Sequence, residues 1–248
     1  RSRIFDVRQI HKDGHLVWTE VRAKFIRSKD GKITGLLGVT RDISQRKIAE
    51  ELLKYREEFE KLLSATSAEF INLPINRIDE GISAALKKVA DFIQVPAGIV
   101  YLYDVETRTL KNSHRYHNES GHVRNGEYMD ITPDTLGYYW KTLQRLESIV
   151  ISHPDDLPPA AHSERKFIDN HGFRSLIFVP MINQGHLYGT LGFYDSALNE
   201  REWSPELIML IKFVADIFVS ALERKRTDVE LIEREQRYRT LIEQSPIA

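Results

Sequence analysis

The sequence contains no cysteine. That absence excludes a disulfide framework, a thiolate zinc or iron–sulfur centre, a cysteine nucleophile and a chromophore attached through a thioether. The sequence also lacks an apolar run of about 20 residues, the length needed to cross a bilayer, and no signal-peptide pattern opens the chain. We therefore expect a cytoplasmic location and no membrane segment within these residues.

The sequence also lacks an excess of charge of either sign, because its 35 Lys and Arg residues nearly balance its 36 Asp and Glu residues. This balance gives no electrostatic footprint for nucleic acid or for an anionic membrane. The sequence has no P-loop, no Gly-x-Ser-x-Gly, no His-Glu-x-x-His and no GxGxxG after a strand. We therefore expect no nucleic-acid partner and no enzymatic activity in these 248 residues.

The first 43 residues predict antiparallel β structure. Lys12-Asp13-Gly14 and Ser28 to Gly31 are turn signals, and the run between them alternates apolar and polar side chains. The resulting three strands have one apolar face, which needs a second layer that these residues do not supply. His11 and His15, which flank the first turn, are interpreted as surface residues.

An apolar pattern with helical spacing follows these strands, and a second, much longer helical segment lies at the end of the sequence. Apolar residues after Ser44 recur at alternating spacings of four and three, typical of a seam between two helices. Ser204-Pro205-Glu206 is a strong helix start, and the next Gly or Pro is Pro246, so a helix of about 40 residues (~60 Å) is predicted. The residues assigned to the signalling seam are Ile48, Leu52, Tyr55, Phe59, Leu62, Ile211, Phe218, Leu222, Val229 and Ile232.

Residues 69–224 predict a mixed helix and strand domain. One broad apolar stripe runs from Ile78 to Ile93, strands follow at 98–103 and 109–116, and short helices are expected around Trp140 and before Gly172. The clearest hairpin pairs residues 174–182 with 186–194 around Asn183-Gln184-Gly185. The fold class expected from these elements is α+β.

The strands at the start of the chain resemble the C-terminal part of a PAS sensory domain. This resemblance rests on Lys12-Asp13-Gly14 through Trp18, on Asp30-Gly31-Lys32 and on Gly35 to Ile43. The exit Asp42-Ile43-Ser44 is similar to the junction by which such domains enter a signalling helix. Residues 238–248 resemble the opening of another PAS domain. No PAS ligand site is carried over, because both resemblances cover fragments.

The middle of the chain resembles a GAF domain. The supporting stretches are Gly172 to Ile177, Val179-Pro180-Met181, Gly185, Gly189 to Phe193, and Trp203-Ser204 through Arg224. The resemblance implies a GAF-like antiparallel sheet with helices, preceded by a three-stranded PAS fragment and joined by long signalling helices. We expect a section of a longer protein, divided into a PAS end (1–43), a linker helix (44–68), a GAF domain (69–224), a signalling helix (225–237) and a PAS start (238–248).

Ligand pockets are mainly apolar and carry a few oriented polar groups. The GAF resemblance places eight candidates around such a pocket: Tyr103, Tyr116, Trp140, His153, Arg174, Ser175, Phe178 and Phe193. The alternative is that these rings fill the core. The cofactor stays unknown: the Asn-Lys…Phe…Asp-Glu signature of cyclic-nucleotide GAF domains is not found after Asn183 or Asn199, and a thioether-linked bilin needs cysteine.

A haem- or metal-binding site is an alternative, because the sequence places three histidines within nine residues: His114, His117 and His122. On a strand, His114 and His117 point to opposite faces, which breaks a local chelate, although haem needs one axial histidine.

The resemblance implies a sensory module of a signal-transduction protein. We expect it to bind a small molecule, or to relay a neighbouring domain's state, through helices that pair in a parallel homodimer. The alternatives are a ligand-free dimerisation and spacer module and a haem- or metal-binding sensor. Arrays of this kind imply a histidine kinase or nucleotide cyclase as the parent, with adjacent PAS domains and an output domain in the same polypeptide.

Overall fold

The computed structural model describes residues 3–118, 130–195 and 201–244. The chain divides into two compact units, residues 1–61 and 62–248. Within the described ranges, no helix has the length and apolar character needed to span a membrane. His122 and the last part of the predicted PAS start, residues 245–248, lie outside the described residues.

The first unit contains three antiparallel strands: β1 (Arg3–Ile10), β2 (Leu16–Arg27) and β3 (Ile33–Asp42), paired in that order. Gly14 and Gly31 have φ of +89° and +80°, so both turn signals mark turns that need a left-handed residue. The sheet is consistent with a PAS fragment. Its large exposed hydrophobic residues are Ile4, Phe5, Ile10, Leu16, Phe25, Ile26, Ile33, Leu36, Leu37 and Val39.

Helix α1 (Ser44–Asn72) begins in the first unit and ends in the second. Ser44 is the first helical residue, and its hydroxyl accepts a hydrogen bond from the Trp18 backbone N–H at 3.1 Å. The carboxylate of Asp42 accepts from the Ser44 backbone N–H at 2.8 Å. A negative charge at this end also suits the helix dipole, so Asp42 stabilises the helix start.

The second unit is built on a five-stranded antiparallel sheet in the order β5-β4-β8-β7-β6. Its strands are β4 (Ala97–Asp104), β5 (Thr109–His117), β6 (Ile149–Ile151), β7 (Ser175–Asn183) and β8 (His186–Asp195). Its helices are α2 (Ile78–Phe92), α3 (Gly137–Gln144), α4 (His162–His171) and α5 (Pro205–Gln244). The expected mixed class with antiparallel sheets is confirmed.

Helices cover both faces of this sheet. The apolar stripe of α2 and the first half of α5 cover one face, and Ile82, Leu86, Ile211 and Phe218 are fully buried there. The other face carries α3 and α4 over a core that includes Leu143, Ile168 and Leu176. Apolar residues become sparse along α5 after Leu222, so exposed side chains predominate on the rest of that helix.

Turn chemistry sets the two sharpest reversals in this unit. Gln184 and Gly185 both have positive φ, 50° and 80°, as a two-residue turn between right-twisted strands requires. Gly172 ends α4 with φ 73°, and its N–H donates to the carbonyl of Asp169.

Candidate functional site

Three of the predicted ligand residues meet in an aromatic cluster between the sheet and α3. The rings of Tyr103 and Trp140 are 5.5 Å apart in an edge-to-face arrangement. Phe178 lies 6.4 Å from Tyr101 and 6.1 Å from Tyr139, measured between ring centroids. These are ordinary separations for aromatic pairs in a core.

The cluster encloses one polar group with no partner among the described residues, the hydroxyl of Tyr139. Tyr139 is 0% exposed, and burial, helped by the charge of Glu164, raises the pKa of its hydroxyl far above the ordinary range. A buried hydroxyl without a partner is uncommon, because desolvation is then uncompensated. A ligand in the cluster would therefore gain most from a hydrogen bond to this hydroxyl.

A buried carboxylate supports the helix on which Tyr139 lies. Glu164 of α4 is 1% exposed and accepts from the backbone N–H groups of Tyr138 and Tyr139 at 2.8 and 3.4 Å. These amides belong to the first turn of α3, where backbone donors lack helical partners and negative charge is stabilised. Sequence reasoning missed Glu164, whose signal is its place four residues before the buried Ile168 on the same helix face.

A β-bulge separates Tyr116 from the cluster. The pairing of β4 with β5 slips at Val100, which pairs with His114 while Tyr101 pairs with Asn112, so Ser113 is an extra residue. An extra residue reverses the alternation of faces along the strand. Tyr116 consequently lies on the α2 side, where its hydroxyl donates to Asp91 at 3.4 Å.

Two more candidates lie on that opposite face. The ring of Phe193 lies beside Gly98 and Leu86, under α2. Ser175 is buried, but it alternates with Leu176 and Phe178, so its hydroxyl points away from the cluster and has no partner among the described residues.

The remaining two candidates are exposed. His153 caps a short turn at residues 154–156, where its Nδ1 accepts from the Asp155 backbone N–H at 3.3 Å. The side chain of Arg174 is exposed, while its backbone N–H donates to the carbonyl of Asp195 at 2.8 Å. The structure thus brings together Tyr103, Trp140 and Phe178 and places the other five elsewhere.

His114 is occupied by other contacts. Its Nε2 lies 3.2 Å from Asp79 Oδ1, and its Nδ1 lies 3.0 Å from the Ser113 hydroxyl. Burial lowers the pKa of His114, against the opposing effect of Asp79. His117 lies on the other face of the strand, as expected, and both ring nitrogens of His114 are used within the fold.

A second candidate site is the junction where α1 ends beside α5. Arg224 of α5 donates to the backbone carbonyls of Phe70, Ile71 and Leu73 at 3.0, 3.1 and 2.8 Å. The last carbonyls of a helix lack helical partners, so a guanidinium there stabilises the end of α1. Sequence reasoning missed this contact, because no local pattern reveals a partner 151 to 154 positions earlier in the chain.

An ion-pair chain extends the junction to α2 and the sheet. Lys225, next to Arg224, binds Asp79 in the first turn of α2, and Asp79 also contacts His114 of β5. Burial opposes ionisation of Asp79, but the hydrogen bond and charge of Lys225, with His114, hold the pKa of that carboxyl below its ordinary value. Adjacent residues of α5 are therefore joined to α1, α2 and the sheet at once.

The predicted seam residues divide into three groups by their exposure. Ile211, Phe218 and Leu222 are buried in the core of the second unit, where they face the sheet and α2 and are not accessible to another chain. The residues of the seam that are exposed are Ile48, Leu52, Val229 and Ile232. Tyr55, Phe59 and Leu62 are half-buried.

Known proteins are similar in sequence to most of the chain. The GAF domain profile matches residues 77–222. The methanogenesis regulatory histidine kinase FilI of Methanothrix harundinacea is 28% identical over 214 residues, 84% of this chain and 23% of that protein. This chain therefore spans under a quarter of the length of that relative.

Solved structures agree on the fold. The GAF domain of a phosphoenolpyruvate-protein phosphotransferase from Coxiella burnetii superposes with a TM-score of 0.56 at 14% identity, over 69% of this chain and 96% of that one. The phycocyanobilin-bound GAF domain of a cyanobacterial phytochrome gives 0.57 at 14% identity, over 68% and 96%. Because the GAF domain profile matches more than half of the 248 residues of this chain, the chain belongs to the GAF domain family.

Proposed function

We propose that this chain is the sensing and relay section of a signal-transduction protein. The GAF domain receives a small molecule, or the state of a neighbouring PAS domain, and passes the change along α1 and α5 to an output domain elsewhere in the polypeptide. The observation that carries this proposal is the junction at Arg224, because it binds the end of one long helix to the side of the other. Similarity to a region of a histidine kinase supports a kinase as the parent.

The mechanism is a shift in packing between the two helices. A ligand can move such an equilibrium only by its difference in affinity for the two arrangements. The aromatic cluster around Tyr139 is the ligand position favoured here, since it combines an apolar wall with a hydroxyl that has no partner within the described ranges. Reordering of α3 on binding would reach the sheet through Phe178 and then α5, which packs on β7.

A parallel homodimer is part of the proposal. Exposed Ile48 and Leu52 lie four residues apart on α1, as a helix–helix seam requires. On the second unit, a groove of about 400 Å³ between the end of α1 and α5 suits another copy. It is lined by Ser67, Phe70, Ile71, Phe213, Asp216, Ile217, Ser220, Ala221 and Arg224. In sedimentation experiments, Leu52→Asp should dissociate the dimer, and the same change at the exposed neighbour Leu53, which points away from the seam, should leave it intact.

The relay is tested by breaking α5 beyond the domain. Val229 is partly exposed, and proline there removes a helical hydrogen bond and clashes with the preceding turn. In the full-length parent, Val229→Pro should uncouple input from output while the GAF core still folds, and Val229→Ala should signal normally. Normal signalling by the proline variant would contradict the relay.

A ligand-free spacer is the second candidate function, favoured by the close aromatic contacts of the cluster. Native mass spectrometry and an absorption spectrum of the purified chain separate the two. A retained small molecule, haem or flavin supports sensing, and a ligand-free dimer whose melting temperature does not respond to a ligand screen supports the spacer.

A further inference from the structure

The tip of the β1–β2 hairpin gathers three metal-ligating side chains in five residues. His11, Asp13 and His15 each offer one ligand atom, and these atoms all lie within 4.8 Å of one another. Nδ1 of His11 is 3.1 Å from Oδ2 of Asp13, and the two imidazole rings stack with centroids 4.5 Å apart. All three side chains are exposed, so an ion can reach them from solvent.

The backbone holds this arrangement in place. The His11 N–H donates to the His15 carbonyl at 2.7 Å, and the Gly14 N–H donates to the His11 carbonyl at 2.8 Å. With Gly14 at φ +89°, the loop is a three-residue turn closed by a bulge. His11 and His15 are therefore neighbours across the hairpin, and Asp13 projects from the turn between them.

We propose that His11, Asp13 and His15 form a binding site for Zn²⁺. Two imidazoles and one carboxylate are a ligand set that this ion accepts, with bonds of about 2.0–2.2 Å and an open fourth position. Tetrahedral bonds of that length put ligand atoms about 3.4 Å apart. The His11–Asp13 pair already meets that spacing, and the exposed His15 side chain closes the remainder by rotation.

The surroundings favour a cation. The carboxylate of Asp42, which accepts a hydrogen bond from the Ser44 backbone N–H at 2.8 Å, lies at this end of the sheet near His11 and His15. Asp42 thus adds a second negative charge close to the two histidines. The competing bond, from the Asp13 N–H to His11 Nδ1, is 3.4 Å long, so an ion displaces little.

The bound ion would tie the two strands together at the end of the sheet where α1 begins. Because an ion that binds only the folded hairpin stabilises it by mass action, zinc would strengthen the start of the helix that the proposed relay uses. The site itself does not depend on the relay, and its test needs no signalling readout.

The test is calorimetric titration of the untagged 248-residue chain with ZnCl₂ at pH 7.5, beside His11→Gln, His15→Gln, Asp13→Asn and the control His186→Gln. His186 is an exposed histidine at the tip of the β7–β8 hairpin, which makes it a matched control. We expect one Zn²⁺ per chain, and a Kd raised about tenfold or more by either histidine change and less by Asp13→Asn. His186→Gln should bind as wild type, and Mg²⁺ should not bind at the hairpin, because imidazole does not suit that ion.

Nitrogen chemical shifts of the imidazoles give an independent readout, since zinc should perturb His11 and His15 and leave His186 unchanged. Circular dichroism checks that every variant folds. Absence of Zn²⁺ binding by the wild-type chain, or binding that both histidine variants retain at full strength, would overturn the proposal.

Discussion

The guanidinium of Arg224 donates from Nη2 to the backbone carbonyl of Leu73 at 2.8 Å, a contact between residues 151 positions apart. The same nitrogen reaches the carbonyl of Phe70, and Nη1 reaches that of Ile71. A single side chain of α5 therefore closes the end of α1. Two long helices that enter and leave one domain are joined at a position where either can influence the other.

Removing the carboxylate of Glu164 should loosen α3. Glu164→Ala removes the acceptor of one buried and one partly buried N–H group, so we expect a loss of about 2 kcal/mol in the free energy of unfolding of the second unit. Glu164→Gln should lose less, since its amide oxygen can still accept. Denaturant unfolding measures both, and Asp169→Ala, an exposed change on the same helix, should stay within about 0.5 kcal/mol. Equal effects at the two positions would contradict the capping role.

The space beside Phe178 should not accept a methyl group. A Cβ on Gly192 would overlap the Phe178 ring, so Gly192→Ala forces that ring out of the aromatic cluster. We expect a destabilisation of about 1–3 kcal/mol and a change in near-ultraviolet circular dichroism. Gly137→Ala is the control, because nothing lies within 4 Å of a Cβ there. A wild-type aromatic spectrum in Gly192→Ala would show that the cluster is looser than described.

The stability of the second unit should depend on His114 at mildly acid pH. Burial lowers the pKa of His114 below the ordinary histidine value of 6.5, so the folded state binds fewer protons than the unfolded state. The stability that depends on a neutral His114 is fully present above pH 6.5. It is lost as the pH falls through that value towards the lower pKa that His114 has in the folded state.

His114→Gln should therefore flatten the stability profile as the pH falls below the ordinary histidine value of 6.5, measured as the denaturant midpoint. His186→Gln should keep the wild-type slope. Asp79 affects stability in a separate pH range. Because its pKa is lowered, the stability of the folded state falls below about pH 3.8, the ordinary value, as the carboxylate is protonated. An unchanged slope in His114→Gln would contradict the assignment.

Local patterns predicted most elements of the second unit. The stripe from Ile78, the turn at Gln184 and Gly185, the stop at Gly172 and the 40-residue helix from Pro205 all depend on residues close in sequence. Such features are set by periodicity and turn chemistry, which a single sequence contains.

Long-range geometry explains what the sequence did not reveal. The GAF resemblance places Tyr116 with Tyr103 around one pocket, but the bulge at Ser113 reverses the face of the strand between them. The faces of Ser175 and Phe193 depend on which helices cover each side of the sheet. The contacts of Glu164 with α3 and of Arg224 with α1 join segments whose proximity follows only from the complete fold.

The most direct test of the relay is hydrogen exchange of the 248-residue chain, comparing Arg224→Met with Arg226→Met. Arg226 is an exposed neighbour whose ion pairs are with Glu223 and Glu230 of its own helix. Loss of charge-assisted bonds to the end of α1 should raise amide exchange about tenfold at residues 66–73, far from the substitution in sequence, and Arg226→Met should leave these amides at the wild-type rate. Unchanged exchange at the end of α1 in Arg224→Met would contradict the coupling of the two helices.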